Sequence, residues 1–565
     1  MKRLLKLLVT IVMLLTLVCS GFACGASDDT GNRIDADIDL AGKDADNDAN
    51  TIECYVYSAG YGVEWLNVTA KEFMRRYPEY KIVAQEMSSN TTLRNKLSTG
   101  PKFTADLIIT GGDINSLLEA SSSIYSGYPI IFDNIDDVYD SVPLSDSGNV
   151  KMSEKMEQSS AEKYYRRVTV NNKKESHYYA APWTVGYNGL FYNVDLFNRA
   201  GLTSEPRTTD ELLSYCETLK AHNITPIIMS SADDYIQYLS WVWWAQYEGQ
   251  EGIENFYYLR ESEDAYPSAN GAVFNQKGYR EMFKVYEKLL KGDNVNAFCE
   301  SFGYTDAQRN FLKGDTNKVE HGAMMPNGNW LENEMTSSST TETVANISVM
   351  QTPIMSALVD KLSFWNETGS YGDVALSADK KAEYDAKLCE IIDYVDGKIQ
   401  VKPTGVSDED IQIVEKARAY YYGGSSSSLA IPTFATAKEG AKKFISFLAS
   451  DVAINLYFRA TTGNVLPYEY DFKNDPYYSE MSDLAKKIID KRVGKFEVAD
   501  ENNYITFYKG GFAYDQGLKN KNFAITFGSK DSASRYTAEQ VLNNVKSYYN
   551  NANLTALLKN CGLIV

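Results

Sequence analysis

The chain has 565 residues, of which 44% are hydrophobic and 13% are aromatic, including 41 tyrosines. This composition excludes wholesale disorder and is sufficient for more than one hydrophobic core. The formal net charge of −19 argues against nucleic acid as a partner and against a large surface for anionic lipids, because both require clustered Lys and Arg. The three histidines, His177, His222 and His321, have no metal-binding spacing to each other or to cysteine, so we expect no metal site.

Residues 1–23 have the pattern of an export signal. The basic residues Lys2 and Arg3 precede an apolar stretch over 4–18. This stretch is shorter than the roughly 20 residues that a transmembrane helix requires. Cys24 follows the small residue Ala23, and this junction resembles the lipobox of bacterial lipoproteins, in which the cysteine becomes lipidated. We therefore expect cleavage before Cys24 and a lipid anchor on it.

The stretch from 24 to 50 is rich in Asp, Ala, Gly and Asn, and we interpret it as an acidic flexible tether between the membrane and the folded body. The folded body contains an odd number of widely spaced cysteines. Such a set predicts free, mostly buried thiols rather than a disulfide framework. These cysteines are Cys54, Cys216, Cys299, Cys389 and Cys561.

The folded body opens with alternating strand and helix patterns. Strands are predicted over 52–57, 81–84 and 105–110, with a helix between the first two that ends at Pro78. In open α/β sheets, ligands bind outside the carboxyl ends of the strands. Tyr61 and Asp113 follow two of these ends and are candidate ligand contacts. The alternatives are that Tyr61 only covers the end of the sheet and that Asp113 only caps a helix.

The stretch from 180 to 195 is apolar and β-favouring, with Gly186 and Gly189 reducing side-chain bulk. We interpret it as a strand that leaves one lobe, crosses a cleft and enters a second lobe. Trp183 and Tyr187 would then face the ligand. The alternative is a buried core strand without ligand contact.

The second half of the chain continues the same alternation. A capping box at Thr208 opens a helix, a strand follows at 224–229, and an aromatic helical pattern covers 235–247. Another strand ends in the turn Asn327-Gly328-Asn329-Trp330. An indole at an exposed turn is costly in water unless a partner stacks on it, so Trp330 is a candidate ligand contact. Core packing is the alternative.

Several segments, in this order, resemble the family-1 extracellular solute-binding proteins of bacterial ABC importers, the carbohydrate-type branch that includes the maltose-binding protein. Together with the lipobox-like start, they are residues 73–78, 105–108, 191–202, 207–212, 328–330, 441–451 and 461–467. The resemblance implies an α/β, two-lobe periplasmic-binding-protein-like fold of class II type, with three hinge crossings and the ligand cleft between the lobes. We place the crossings near 183–190, 347–353 and 450–463. Lobe 1 is then 51–183 plus 347–450, and lobe 2 is 184–346 plus 451–565.

The resemblance also implies roles for particular residues. Trp330 matches a tryptophan that stacks on sugar, and Asp113 matches a carboxylate that binds sugar hydroxyls, whereas Gly186 stands where the family has a glutamate. An insertion over 355–424 is expected to line or cover the cleft, or else to decorate lobe 1. The complete set of expected ligand contacts is Tyr61, Asp113, Trp183, Tyr187, Asn327, Asn329, Trp330, Trp365 and Tyr371.

The expected function is the capture of a sugar or oligosaccharide and its delivery to the permease subunits of an ABC transporter by lobe closure. No catalytic residue and no cofactor are expected. The protein would be a monomer, lipid-anchored at the outer face of the cytoplasmic membrane of a Gram-positive-type bacterium. The alternatives are an extracellular glycan hydrolase, which needs two carboxylates flanking a bond, a binding protein for a non-sugar polar solute, and a structural or adhesion lipoprotein. The identity of the ligand is not encoded in any motif.

Overall fold

Two β-sheets organise the chain. The computed structural model describes residues 48–57, 59–87, 90–112, 114–170, 173–297, 299–312, 322–337, 345–424, 427–528 and 531–565. The expected signal segment, Cys24, most of the tether, Asp113 and His321 lie outside the described residues. The strands are β1 Thr51–Val56, β2 Lys81–Glu86, β3 Leu107–Thr110, β4 Tyr165–Val170, β5 Lys173–Tyr178, β6 Ala181–Pro182, β7 Asn188–Asn193, β8 Thr225–Ile227, β9 Gly322–Gly328, β10 Ile347–Val349, β11 Tyr420–Tyr421, β12 Ser428–Ala430 and β13 Phe496–Glu497.

Helices cover both sheets. They are α1 Glu64–Arg76, α2 Asn90–Leu97, α3 Asn115–Glu119, α4 Ser121–Ile124, α5 Asp136–Tyr139, α6 Met152–Lys155, α7 Gln158–Tyr164, α8 Val194–Arg199, α9 Thr209–Ala221, α10 Tyr238–Tyr257, α11 Lys277–Leu289, α12 Tyr304–Leu312, α13 Leu331–Ser337, α14 Ala378–Val395, α15 Asp408–Ala419, α16 Lys438–Leu448, α17 Asp451–Ala460, α18 Asp483–Arg492, α19 Ile505–Tyr508, α20 Phe523–Phe527, α21 Ala538–Tyr548 and α22 Asn551–Asn560. Among these described helices, none combines the length and the apolar run that a membrane crossing requires.

The first sheet has the strand order β2-β1-β3-β12-β6, with β1, β2 and β3 parallel and β12 antiparallel to both of its neighbours. Side chains alternate between its two faces, as the period of a strand requires. Ile52 and Cys54 of β1 pack with α1, α16 and α17, whereas Tyr55 packs on the other face with Leu118. The sheet is therefore covered on both sides, which explains why its strands are nearly continuous apolar runs.

The second sheet has the order β10-β7-β9-β8 and builds the core of a second lobe. The aromatic helix α10 contributes Trp241, Trp243 and Trp244 to that core, and each is at most 3% exposed. Trp241 and Trp244 stack on each other with ring centroids 6.2 Å apart, so both serve core packing.

Three segments connect the lobes and run side by side. In the first, the Gly186 amide donates to the Gly423 carbonyl at 3.1 Å and the Asn188 amide donates to the Tyr422 carbonyl at 2.8 Å. The third segment follows α18, where the Val498 amide donates to the Tyr421 carbonyl at 2.9 Å and β13 pairs in parallel with β11. We refer to residues 184–188, 420–424 and 493–498 as the first, second and third crossings.

Only the first crossing lies where the sequence places it. The expected second crossing, 347–353, contains β10, which pairs with β7 inside the second sheet. The expected third crossing, 450–463, contains α17, which packs in the core of the first lobe. Helices α14 and α15 join the core of the second lobe, so the expected lobe boundaries do not match this packing. The periodicity of a short strand or an amphipathic helix indicates which face of that element is buried. It does not indicate which sheet or core the face packs against.

The described cysteines are buried and free, as expected. Burial raises the pKa of the Cys216 thiol to about 12, so this group stays protonated at neutral pH. Within the described ranges there is no group of three or more His, Cys, Asp and Glu side chains placed to hold a metal ion.

Candidate functional site

The lobes meet where strands of both sheets end. In the first lobe, β1 leads into a turn at Ala59–Tyr61. In the second lobe, β9 leads directly to Asn329 and Trp330, and β8 leads through residues 228–234 to Tyr235. The carboxyl end of β1 therefore faces those of β8 and β9, which is the position at which α/β folds bind ligands.

Asn329 links the two lobes by hydrogen bonds. Its Oδ1 accepts from the Tyr61 hydroxyl at 2.9 Å and from the Tyr187 amide at 3.1 Å. Its Nδ2 donates to Asn464 Oδ1 at 2.6 Å, and Asn464 Nδ2 donates to Thr184 Oγ1 at 2.7 Å. Both amide orientations are fixed by this network, so Asn329 acts as a polar joint between the lobes rather than as a free side chain.

Trp330 lies between rings from both lobes. Its ring centroid is 6.4 Å from that of Tyr61 and 6.1 Å from that of Tyr235, both in edge-to-face geometry. The backbone of Gly60 passes so close that a Cβ there would lie 2.8 Å from the Cβ of Trp330. The indole nevertheless remains only partly buried. A partly exposed indole held by two tyrosines is a surface on which an apolar ligand face can stack.

A second pair of rings extends this cluster. Tyr235 stacks on Tyr238 at 5.3 Å, and Tyr238 is 5.6 Å from Tyr422 of the second crossing. Burial raises the pKa of Tyr235 to about 12, and the nearby carboxylates of Asp233 and Glu334 add to this shift. We call Tyr61, Tyr235, Tyr238 and Trp330 the aromatic cluster.

Asp233 supplies a polar group beside the cluster. Its Oδ2 is buried and has no hydrogen-bond partner among the described residues. A buried acceptor without a donor costs about 1–3 kcal/mol, so a ligand hydroxyl that donates to it would be favoured.

Sequence reasoning missed Tyr235, Tyr238 and Asp233. A usable signal existed, because these residues follow the strand predicted at 224–229, and ligand contacts were already expected after strand ends. The aromatic helical pattern instead directed attention to the core role of the tryptophans. Asp113, the carboxylate expected at this edge, lies outside the described residues.

Trp183 and Tyr187 are buried and do not face the cleft. Trp183 is 1% exposed, stacks on Trp65 at 5.1 Å and donates from Nε1 to the Thr110 carbonyl at 2.7 Å. Tyr187 is also 1% exposed, and its hydroxyl donates to the Met350 carbonyl at 2.9 Å. The expectation that Trp183 and Tyr187 contact a ligand is therefore wrong. Both side chains are buried and make their hydrogen bonds inside the protein, as the core-strand alternative predicts.

Asn327 is likewise turned into the protein. It is 1% exposed, and its Oδ1 accepts from the Gly328 amide at 2.8 Å. Of this turn, Asn329 and Trp330 contact Tyr61 of the first lobe.

The insertion does not reach the aromatic cluster through its expected residues. The ring of Trp365 packs on Tyr384 at 4.8 Å, and the Tyr371 hydroxyl donates to Asp210 Oδ2 at 2.5 Å. Tyr384 and Asp210 belong to α14 and α9 of the second lobe, which is where the insertion packs. Trp365 and Tyr371 therefore pack within the second lobe. The expectation that they line the cleft is wrong.

One cavity between the lobes does not include any of the expected site residues. It has a volume of about 730 Å³ and is lined by both lobes. We place the candidate site at the aromatic cluster nevertheless, because the strand ends and the partly exposed indole converge there.

Comparison with known proteins agrees with this architecture. Residues 59–331 match the family described as bacterial extracellular solute-binding protein. An uncharacterized ABC transporter extracellular-binding protein of Pyrococcus horikoshii is 23% identical over 244 residues, which are 41% of this chain and 47% of that protein. The match thus spans about half of the length of this relative.

Solved structures share the fold over most of the chain. A chitin oligosaccharide binding protein is 15% identical with a TM-score of 0.51, covering 89% of this chain and 98% of its own. The apo form of RafE from Streptococcus pneumoniae is 16% identical with a TM-score of 0.52, covering 88% and 97%. At such identities the likeness shows the fold alone, and it confirms the expected two-lobe α/β architecture.

Proposed function

We propose that this chain, an extracellular solute-binding protein of the ABC-importer type by its match over residues 59–331, captures a sugar or oligosaccharide between its lobes. The family binds solutes and does not convert them. The observation that carries the proposal is the partly exposed Trp330, held between Tyr61 of one lobe and Tyr235 of the other. A sugar offers C–H faces to such rings and hydroxyls to polar groups at their edge.

The polar edge is supplied by residues of the second lobe. The unpaired Asp233 Oδ2 is an acceptor for a ligand hydroxyl. A chitin oligosaccharide binding protein shares this fold, which supports a carbohydrate as the class of ligand.

Closure of the lobes is the proposed means of capture. Tyr61 reaches Asn329, and the Asn333 Nδ2 donates to the Gly60 carbonyl at 2.6 Å, so the two lobes contact each other through the aromatic cluster. A ligand that touches both lobes binds the closed form better than the open one and shifts the population accordingly. The closed form would then be the shape that permease subunits recognise.

The proposed location follows from the start of the chain. Export with lipidation at Cys24 would tether a monomer to the outer face of the cytoplasmic membrane through the acidic segment 24–50. Labelling with an alkyne fatty acid should mark the wild-type chain, and Cys24→Ser should abolish the label. Equal labelling of both chains would remove the anchor from the proposal.

The binding proposal is tested by titration calorimetry with neutral oligosaccharides. Trp330→Ala is expected to weaken binding at least about fivefold, because it removes the stacking surface, a contact of about 1–3 kcal/mol. Trp365→Ala is the matched control, since Trp365 is also partly buried but packs on the second lobe away from the cluster. Equal affinities in the wild type and Trp330→Ala would exclude the aromatic cluster as the site.

A further inference from the structure

A second space between the lobes lies on the other side of the first sheet. Its volume of about 730 Å³ is in the usual range for small-molecule sites. Leu118, in its wall, belongs to the core on one face of the first sheet, whereas Trp330 packs against the core on the opposite face. The space is therefore separate from the aromatic cluster.

Contacts between the lobes close this space. Asn115 Nδ2 donates to the Asn502 carbonyl at 2.7 Å, and Arg166 Nη2 donates to Asn503 Oδ1 at 2.8 Å. Asn115 and Arg166 belong to the first lobe, and residues 502–503 follow the third crossing into the second. The cavity thus has its present shape only while the lobes are together.

The charges in the wall balance, because Lys163, Arg166 and Lys509 are matched in number by Glu119, Glu254 and Glu497. Lys163 Nζ lies 2.6 Å from Glu497 Oε1, and both side chains are at most 3% exposed. Lys509 Nζ lies 3.4 Å from Glu119 Oε2. The wall therefore offers a ligand with a net charge no excess of opposite charge, and a ligand that competed for Lys163 or Glu497 would have to separate a buried pair, which is strongly unfavourable.

The rest of the wall mixes rings and hydrogen-bonding groups. Tyr165, Tyr258 and Tyr508 line it, and Tyr165 is 50% exposed. Gln250 Nε2 donates to the hydroxyl of Tyr504 at 2.8 Å, and both residues border the same space. Tyrosine rings beside amides and hydroxyls suit a molecule that has apolar faces and a hydroxyl-rich edge.

We propose that this cavity is a second ligand site, for an uncharged polyhydroxylated molecule of the sugar class. Because both lobes form its wall, an occupant stabilises the closed form and strengthens binding at the aromatic cluster, and the reverse holds equally. This coupling rests on the proposed function, whereas the existence of the second site does not.

The test uses the mature chain and titration calorimetry with cellobiose and maltose as uncharged probes and cellobionate as the anionic counterpart of cellobiose. In the Trp330→Ala chain, at least one uncharged probe is expected to retain binding. Adding Ala499→Phe, which fills the cavity, is expected to weaken this remaining binding at least tenfold, and cellobionate is expected to bind at least tenfold more weakly than cellobiose.

Ala499→Ser is the matched control, because it leaves the space open at the same position, and it should change the remaining affinity less than twofold. Ser122→Trp, at an exposed position in the wall, is a second blocking variant that does not depend on the folding of Ala499→Phe. An absence of remaining binding in Trp330→Ala, or remaining binding that neither blocking variant weakens, would overturn the second site.

The two proposals fail differently. If Trp330→Ala leaves all binding intact and the blocking variants remove it, the second site stands and the proposed function of the aromatic cluster falls. If cellobionate binds as well as cellobiose, the assignment of an uncharged ligand is overturned.

Discussion

Gly186 shows how one missing side chain shapes the lobe junction. A Cβ at this position would lie 2.6 Å from the Gly423 carbonyl oxygen and 3.2 Å from Asn329 Oδ1. The carbonyl belongs to the second crossing, so the backbone would have to move to make room. The family resemblance puts a glutamate at this position, and the structure gives the physical reason for its absence here: the second crossing occupies the space.

Gly186→Ala is expected to destabilise the protein by about 1–3 kcal/mol, the usual cost of overpacking against a rigid neighbour. Gly112→Ala is the control, because a Cβ at that glycine meets no atom within 4 Å. Urea unfolding monitored by circular dichroism gives both values. Equal stabilities for the two variants would contradict the close approach of the crossings.

Asp234 makes stability depend on pH near neutrality. Burial raises its pKa to about 7, although its carboxylate accepts hydrogen bonds from the Phe523 and Ala524 amides at 2.7 and 3.1 Å. The folded state then holds this proton more tightly than the unfolded state, in which an aspartate has a pKa of about 3.9. Stability from this group is present below about pH 4 and is lost as the pH rises to about 7. Burial also raises the pKa of Asp385 to about 6, in the same direction.

The free energy of unfolding is therefore expected to fall by at least about 1 kcal/mol between pH 5 and pH 8. Asp234→Asn should flatten this dependence, whereas Asp264→Asn, at an exposed position, should not. Denaturation curves at the two pH values provide the measurement. A wild-type protein that is more stable at pH 8 than at pH 5 would show that these carboxyl groups do not dominate the pH dependence of the free energy of unfolding.

At the scale of elements, helix α7 holds the third crossing against the first lobe. Its Lys163 forms the buried pair with Glu497 of β13, and its Ser160 hydroxyl donates to the other oxygen of that carboxylate at 3.1 Å. Just before the helix, Glu157 Oε2 accepts from Arg492 Nη2 at 3.2 Å. Two ion pairs thus fix the direction in which the chain leaves α18.

Lys163→Met is expected to cost about 3–5 kcal/mol, because the Glu497 carboxylate would remain buried without its cation. Lys163→Met combined with Glu497→Gln should recover part of this loss. The surface pair of Lys151 and Asp140 is the control, since both side chains are well exposed, and Lys151→Met should cost about 0–1 kcal/mol. A loss no larger than that of the control would exclude the pair as a support of the crossing.

At the scale of the whole molecule, the proposed closure requires two cores that can move relative to each other. The cores lie on separate sheets, and the chain passes between them in three adjacent crossings. This arrangement is compatible with rotation of the lobes without unfolding of either core.

Addition of a bound oligosaccharide is expected to raise the melting temperature and to reduce the radius of gyration. Ligand at 100 times its Kd stabilises the folded state by about 2.7 kcal/mol through mass action. Differential scanning fluorimetry and small-angle X-ray scattering measure the two effects, and Trp330→Ala should lose both at the same ligand concentration. Stabilisation without any compaction would argue against closure as the means of capture.

The sequence by itself determined much of the local structure and the class of fold. Short apolar runs predicted the strands of the first lobe, the capping residue Thr208 predicted the start of α9, and the order of segments indicated two lobes. The candidate role of Trp330 was also predictable from the sequence, because this tryptophan directly follows a predicted strand and turn.

Only the tertiary structure decided which core each later segment joins and which aromatic rings remain exposed. Trp183 and Trp330 both follow strands, yet one stacks on Trp65 inside the first lobe and the other lies between the lobes. The sequence shows that a side chain is apolar, but whether the side chain is buried depends on neighbours that are distant in sequence, such as Tyr235 for Trp330. For the same reason, the sequence of the insertion did not reveal that its helices α14 and α15 join the second core.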